Sequence, residues 1–417
     1  MEQSPCVSVV RKEIAHTESE AFRFGVTSPF EPQHFRFGAE DLHADFGLRD
    51  EVVRDIAPAL PMSLLNTRVM EQTAARFVAA FPGDVMFAVK CNPDPVFLRS
   101  MYREGVHRFD VASLYEIKLI HELFPFARQY FMHPVKPAEA ITEAYDNYRV
   151  RAFVLDTHDE LDKILAATNH ADDLELFVRI AVPKGNVATD FSSKFGAKPD
   201  QAASLIRRTA AYASRMGVSF HVGTQCTDPM VYANAVAYAA SVIKDACVDV
   251  DVLDIGGGFP TKLACDAQLA SVEAYMDIIR TALTQNGFDG TEILCEAGRG
   301  LVANAGSLVV RVEGRKGDLL YINDGTYGGL FEAGGAIGLP YPARLIRREA
   351  NREAGELQAF RLAGPTCDSV DMMNGPFMLP ADIQTGDWIA LDKLGAYGEV
   401  SRTNFNGFGA VHKGVIA

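Results

Sequence analysis

The sequence predicts an α/β protein: a closed (β/α)8 barrel of the TIM type followed by a mostly β domain of sandwich-like or barrel-like form. Three observations carry the prediction. From about residue 61 to 300, eight short apolar runs rich in β-formers alternate with stretches of helical period. Polar residues gather at the C-terminal ends of those runs. Beyond about residue 305 the helical period gives way to strand-like segments separated by Gly/Pro-rich connectors.

Residues 1–45 read as an irregular extension, with Pro5, Pro29 and Pro32 scattered among polar and aromatic residues. The barrel is assigned to 46–305. Its runs are DVMFAVK (84–90), HRFDVAS (107–113), QYFMHPV (129–135), RAFVLD (151–156), ELFVRI (175–180), VSFHVG (218–223), VDVLDIG (250–256) and EILCEAG (292–298). Between them, SLYEIKLIHELF (113–124) repeats its apolar residues at three and four positions, the spacing of one helix face. DTHDELDKILAA (156–167) opens with Asp and Thr where an N-cap is wanted and carries acid in its first turn. The β domain takes 306–417, with SLVVRVEGR, DLLYINDG, QAFRLAGP and DWIALDKLGAY as its strands and room for the N-terminal segment to contribute. The Gly-rich stretch 328–345 reads as a loop of the kind that lines pockets.

Eight strand–helix units are the count of a closed barrel, and a doubly wound open sheet is the alternative. The strand ends decide between them. Lys90, Asp110, His133, Asp156, Arg179, His221, Gly256 to Gly258, Glu296 and Arg299 all fall at or just past the end of a run. A barrel gathers such ends at one mouth, whereas an open sheet strings them along an edge.

Composition narrows the function. At 417 residues with 48% hydrophobic and 23% charged residues, the chain suits a soluble enzyme of two domains. A formal net charge of −14 argues against nucleic acid, whose binders need a basic footprint. A negative field suits cationic small molecules, although solubility alone is the plainer reason for it. The cysteines at 6, 91, 226, 247, 265, 295 and 367 form no C-x-x-C pair and lie away from histidines, which argues against zinc and against a disulfide framework. The N-terminus MEQSPCVSVVRKEIAHTESE carries charges where a signal peptide needs an apolar core. No apolar run approaches the roughly 18 residues of a membrane span. The chain reads as cytoplasmic.

Five features hold chemistry, each with a plainer alternative. Lys90 closes VMFAVK; at a barrel mouth it is partly desolvated, its pKa falls and the neutral amine becomes a nucleophile. A lysine snorkelling at a strand end is the plainer reading. The triple glycine of DIGGGFP (254–260) can open backbone N–H groups to an anion, or simply turn the chain. It lacks the spacing of a dinucleotide fingerprint. CEAGRG (295–300) offers Glu296 to a pyridine nitrogen and Arg299 to a phosphate, or a local ion pair. His221 can stack on an aromatic ring or sit satisfied in the core. Cys367 in GPTCDSVD is a proton donor or a structural thiol.

Taken together, FAVKCN, FDVASLYEI, SSKFGA, FHVGTQC, DIGGGFP, CEAGRG, NDGTYG, GPTCDS and GAYGEVSRTNFNGF resemble, in order, the fold-type III pyridoxal-phosphate decarboxylases. That family holds the ornithine, lysine, arginine and diaminopimelate decarboxylases, and the motifs are most similar to those of ornithine decarboxylases. They run from about 60 to 410, nearly the whole chain. The resemblance implies pyridoxal 5′-phosphate as cofactor, a head-to-tail homodimer with sites at the interface, and a small cationic amino acid as substrate. It makes Lys90 the Schiff-base lysine and His221 the ring-stacking group. Glu296 holds the pyridine nitrogen. Gly257, Gly258, Gly298, Arg299 and Tyr397, with Thr224, hold the phosphate. Asp110 and Arg179 line the site. Cys367 comes from the partner subunit as the proton donor, Asp368 meets the distal ammonium, and Tyr327 of NDGTYG lies on the substrate side.

The chain departs from the family pattern in two places, of which the second bears on the substrate. Ala297 stands where the family usually has proline. Ornithine decarboxylases also place a Tyr–Asp pair about ten residues after NDG-x-Y, where this chain reads GGLFEAGGAIG with Glu332 its one acid. The resemblance therefore leaves the ammonium to Glu332 or to Asp368 alone. Asp368, where diaminopimelate decarboxylases usually show Glu, favours a diamine-forming substrate. A racemase, a decarboxylase of another basic or D-amino acid, and an antizyme-inhibitor-like regulator remain the rivals.

Overall fold

A computed structural model describes residues 33–42, 48–183, 194–264, 268–350 and 355–416. Most of the N-terminal extension, Ser192 and Ser193 of SSKFGA, and Cys6 and Cys265 lie outside the described residues.

Eight parallel strands close into the expected barrel: Asp84–Ala88, Arg108–Val111, Arg128–Phe131, Ala152–Leu155, Glu175–Arg179, Arg215–Ser219, Val252–Asp254 and Glu292–Ala297. Closure is made by Glu292–Ala297 pairing with Asp84–Ala88. Each strand overlaps the run expected for it except in phase at the sixth, which starts at Arg215 rather than Val218. Arg215 and Gly217 do not look like strand formers. Gly217 is there for room, since a Cβ would lie 2.3 Å from the Phe177 ring inside the barrel. Met86, Tyr130, Met132, Ala152, Val154, Phe177, Val252 and Leu294 fill that interior, so it is a packed core and no pore.

The crossover helices form where capping and periodicity agree. Ser113 Oγ accepts from the Glu116 N–H (3.3 Å) and starts Leu114–Leu123, which buries Ile117 and Ile120. Thr157 Oγ1 accepts from the Glu160 N–H (3.2 Å) and starts His158–Ala167, which buries Leu161, Ile164 and Leu165. Three such side chains together contribute about 5–9 kcal/mol relative to exposure.

The strand starts carry charge too. Arg108 meets Asp84 and Glu292 at 2.6 Å each, Arg215 meets Glu292 at 2.6 Å, and Arg128 meets Glu175. These alternating ion pairs close the N-terminal end of the barrel, which leaves the opposite mouth for chemistry.

The second unit is a nine-stranded sheet. Gly306–Lys316 is its centre, antiparallel to Met62–Asn66, Leu319–Ile322 and Trp388–Asp392. Leu357–Ala363 and Met372–Pro380 extend one side, and Ala343–Ile346 pairs with Trp388–Asp392. His412–Ile416 returns beside Met62–Asn66, and His34–Phe37 adds outside it. Residues well before the barrel thus supply two strands of this sheet, and the chain enters the barrel with helix Thr67–Ala80. Among the described residues, no helix is long and apolar enough to cross a membrane.

Candidate active site

Lys90 leaves the end of Asp84–Ala88 in a short 3-10 turn, Val89–Cys91, that aims its side chain into the barrel mouth. There it donates to Asp110 Oδ2 at 2.6 Å. Asp110 is the penultimate residue of the neighbouring strand and is 2% exposed. Around this pair lies a cavity of about 350 Å³, a volume suited to a small ligand. Arg179, His221, Thr224, Gly258, Glu296, Gly298, Arg299, Glu332 and Tyr397 also line it. Residues more than 300 positions apart in the sequence meet here because barrel strand ends converge.

One sequence expectation is overturned. Burial does act to lower the Lys90 pKa, but the carboxylates of Asp110 and Glu296 outweigh it and raise the value above that of an ordinary lysine. Burial does depress Lys136, to about 8, and it lowers Lys393 as well. The Lys136 ammonium is bonded to the carbonyls of His133 (3.0 Å) and Val154 (2.5 Å) and to Glu160, and Lys136 does not line the cavity. Lys90 is therefore singled out by position, paired with Asp110 at the cavity wall.

His221 is half-buried in the cavity wall, and desolvation followed by the nearby charges of Arg179 and Lys90 drives its pKa well below the ordinary value. The ring is neutral. Its Nδ1 accepts from the Gly223 N–H at 3.0 Å, which fixes the plane of the imidazole. Glu296 is 6% exposed, and burial together with Asp110 raises its pKa. Behind it, Asp254 is fully buried and pushed up further, by burial and then by Glu296. Its Oδ1 accepts from the Gly256 N–H at 2.9 Å, which acts against that shift.

The glycine turn is packed as tightly as an anion nest demands. Gly258 has φ +102°, and a Cβ there would lie 2.3 Å from the Gly223 carbonyl oxygen. Gly257 sits beneath the cavity wall, where its carbonyl accepts from Tyr232 O–H at 2.9 Å. Arg299 opens helix Arg299–Val302, lies 5.0 Å from the Tyr397 ring centre, and binds Glu332 through both terminal nitrogens. Of the remaining strand-end residues, His133 lines the cavity, while Asp156 accepts from the Gly196 N–H at 2.8 Å and anchors a loop.

Cys367, Asp368 and Tyr327 stand apart from that cavity, on loops of the β domain. Tyr327 O–H donates to Asp368 Oδ2 at 2.5 Å, and this bond holds the Asp368 carboxyl below its usual pKa. Cys367 is exposed, with its N–H donated to Asn406 Oδ1 at 3.1 Å. Buried Asp371 fastens the two loops together, accepting from the N–H and O–H of both Thr326 and Thr366. A larger cavity, about 500 Å³, lies behind Phe259 between helices Thr67–Ala80 and Val272–Gln285. None of the expected site residues lines it.

Sequence reasoning passed over Asp254 and Glu116. Asp254 sits inside an apolar run, and Glu116 looks like a capping-box acid. Glu116 does bond the Ala112 N–H at 2.7 Å, but burial and then the Asp110 charge raise it to about 7. A carboxyl with a raised folded pKa contributes stability in full below its unfolded value near 4.5, and that contribution is lost as pH rises through about 7. Thermal unfolding of the cofactor-free protein at pH 5 and pH 8 should therefore show a larger drop for the natural chain than for Glu116→Gln. Equal drops would place the Glu116 carboxyl in an ordinary, ionised state.

Comparison with known proteins bears on these groups. Residues 67–303 match the family model described as pyridoxal-dependent decarboxylase, pyridoxal binding domain. The lysine/ornithine decarboxylase of Selenomonas ruminantium is 32% identical over 378 residues, covering 87% of this chain and 92% of that protein. Among solved structures, the lysine/ornithine decarboxylase of Vibrio vulnificus complexed with putrescine superposes with a TM-score of 0.76 at 30% identity. That match covers 90% of this chain and 99% of the other. The arginine decarboxylase of Paramecium bursaria Chlorella virus, bound to agmatine, gives 0.77 at 27% identity, covering 88% and 100%.

Proposed function

Because the chain belongs to the pyridoxal-dependent decarboxylases, we propose that it removes the α-carboxylate of a small cationic amino acid of the ornithine or lysine type, releasing a diamine and carbon dioxide. At the coarser level it is a carboxy-lyase of basic amino acids that uses pyridoxal 5′-phosphate. The observation that carries the reading is the meeting of Lys90, Asp110, His221, Glu296 and Arg299 around one cavity at the barrel mouth.

The donor set suits that cofactor. Lys90 offers an amine to its aldehyde, and Glu296 a carboxylate to its ring nitrogen. Gly258, Gly298, Arg299 and Tyr397, with Thr224 and the backbone at Gly257, surround the phosphate end. Arg299 Nε is buried there without a hydrogen-bond partner among the described residues, a donor suited to a phosphate oxygen. When bound, the cofactor supplies a protonated ring that takes up the electron pair left by departing carbon dioxide.

The chain's own residues do the rest. Glu296 would hold the proton on the ring nitrogen, and neutral His221 would face the ring without placing a positive charge beside it. Asp110 anchors the Lys90 side chain at the cavity wall through its 2.6 Å hydrogen bond. Cys367 of the partner subunit delivers the proton that replaces the lost carboxylate, since its exposed loop lies away from its own barrel mouth. Asp368 on the same loop, kept ionised by Tyr327, receives the distal ammonium. A homodimer follows from this division of the site.

The test is a panel of L- and D-ornithine, lysine, arginine, diaminobutyrate and meso-diaminopimelate incubated with the holoenzyme, with amines read by mass spectrometry. A diamine from ornithine or lysine as the main product is expected. Agmatine as the main product, or no amine from any of them while the cofactor is retained, would overturn this substrate class.

A further inference from the structure

The reading above assigns Arg299 to the phosphate of the cofactor, yet its guanidinium already has a partner. Nη1 donates to Glu332 Oε2 at 2.9 Å and Nη2 to Glu332 Oε1 at 2.5 Å, the two-pronged geometry in which arginine grips an oxyanion. Tyr341 O–H fixes the same carboxylate from the far side at 2.8 Å. The Arg299 and Glu332 side chains are 3% and 9% exposed. The pair also spans the two structural units: Arg299 stands at the barrel mouth, and Glu332 lies on the turn Phe331–Ala333 of the β domain.

Resting on that reading of Arg299, we propose that Glu332 is a positioning residue that competes with phosphate for Arg299, holding the guanidinium while the site has no anion and yielding part of it when phosphate enters. Three facts support such a competition. A buried guanidinium with no counter-charge is strongly destabilising, so the cofactor-free fold needs an anion at this point. Glu332 takes one N–H from each terminal nitrogen, so an entering phosphate meets a cation that is already paired and must share it with that carboxylate. Glu332 also lines the cavity itself, where its charge repels the phosphate dianion. Phosphate affinity is then set by the difference between two ion pairs. The acid that the sequence offered to a substrate ammonium is engaged at the phosphate end, and recognition of the ammonium falls to Asp368.

The test uses the full chain stripped of cofactor, with inorganic phosphate as the probe in a calorimetric titration and a parallel thermal-unfolding series. Glu332→Gln should lower the thermal midpoint without phosphate and tighten phosphate binding about 5- to 150-fold, the usual range for coupled sites. Glu332→Asp keeps the charge but is too short for the two-pronged grip. It should shift affinity in the same direction by less, and it serves if the glutamine variant does not fold. Unchanged or weaker phosphate binding in the folded variant would overturn the proposal, since a mere structural brace predicts that result. A raised KM for the amino acid at unchanged phosphate affinity would overturn it in favour of a substrate contact. Borohydride reduction of the natural chain with pyridoxal phosphate checks the premise separately, because a missing adduct at Lys90 refutes the cofactor reading whatever Glu332 does.

Discussion

Replacing Lys90 with alanine should lower decarboxylation by at least about 10³-fold, equivalent to about 4 kcal/mol of barrier. Borohydride reduction should then leave no cofactor attached to the chain. The loss is chemical, because no other lysine among the described residues lines the cavity. Lys136, whose depressed pKa makes it the better nucleophile by titration alone, is bound to two carbonyl oxygens and Glu160 outside the cavity. The substitution also strips the counter-charge from Asp110, which is 2% exposed and close to Glu296. The cofactor-free variant should therefore unfold at a lower temperature at neutral pH. Lys90→Arg separates the two effects: it keeps a cation beside Asp110, and with it the stability, but cannot bond covalently to an aldehyde. Peptide mapping that finds a reduced adduct on Lys136 would sink the assignment of Lys90.

What could be read from the sequence, and what could not, follows from how far apart the interacting residues lie. The eight barrel strands were legible because each is a local apolar run, and their ends marked the site because barrel closure is a property of the pattern. Met62–Asn66 was not legible as part of the β domain, since its partners, such as Ile416 opposite Asn66, lie some 350 positions away. Met372–Pro380 escaped because the NGP at its middle reads as a turn. Among site residues, those with an expressive local setting were found: Lys90 at a strand end, Arg299 after a Gly turn. Asp254 was passed over inside VDVLDIG, because only cross-strand pairing shows that it stands opposite Leu294, two residues short of Glu296. Glu332 was noticed for what it lacks beside it, yet its engagement with Arg299, 33 residues away on another structural unit, belongs to tertiary packing. The Lys90 titration was misjudged for the same reason, since desolvation can be guessed from a motif while the opposing field of Asp110 and Glu296 cannot.

Glu296→Gln should lower kcat about 10²- to 10³-fold, the usual cost of removing one preorganised electrostatic partner, while the cofactor stays covalently bound. Glu296 faces the end of the cavity that receives the ring nitrogen, and a neutral amide there no longer favours the proton on that nitrogen. The effect belongs on kcat, because the lost interaction strengthens as the ring takes up charge. The same substitution should act in the opposite sense on stability. Burial and the neighbouring Asp110 raise the Glu296 pKa, so its contribution to the cofactor-free fold is complete below the unfolded value near 4.5 and is lost as pH rises through the folded one. Asp254, buried behind it and raised further, adds to that strain. An amide at 296 relieves it, so the cofactor-free variant should unfold at a higher temperature than the natural chain above neutral pH and lose the advantage in acid. Reduced turnover with raised cofactor-free stability is what distinguishes a carboxylate kept for chemistry from one kept for packing. A packing carboxylate predicts that both fall together, and that outcome would remove Glu296 from the ring nitrogen.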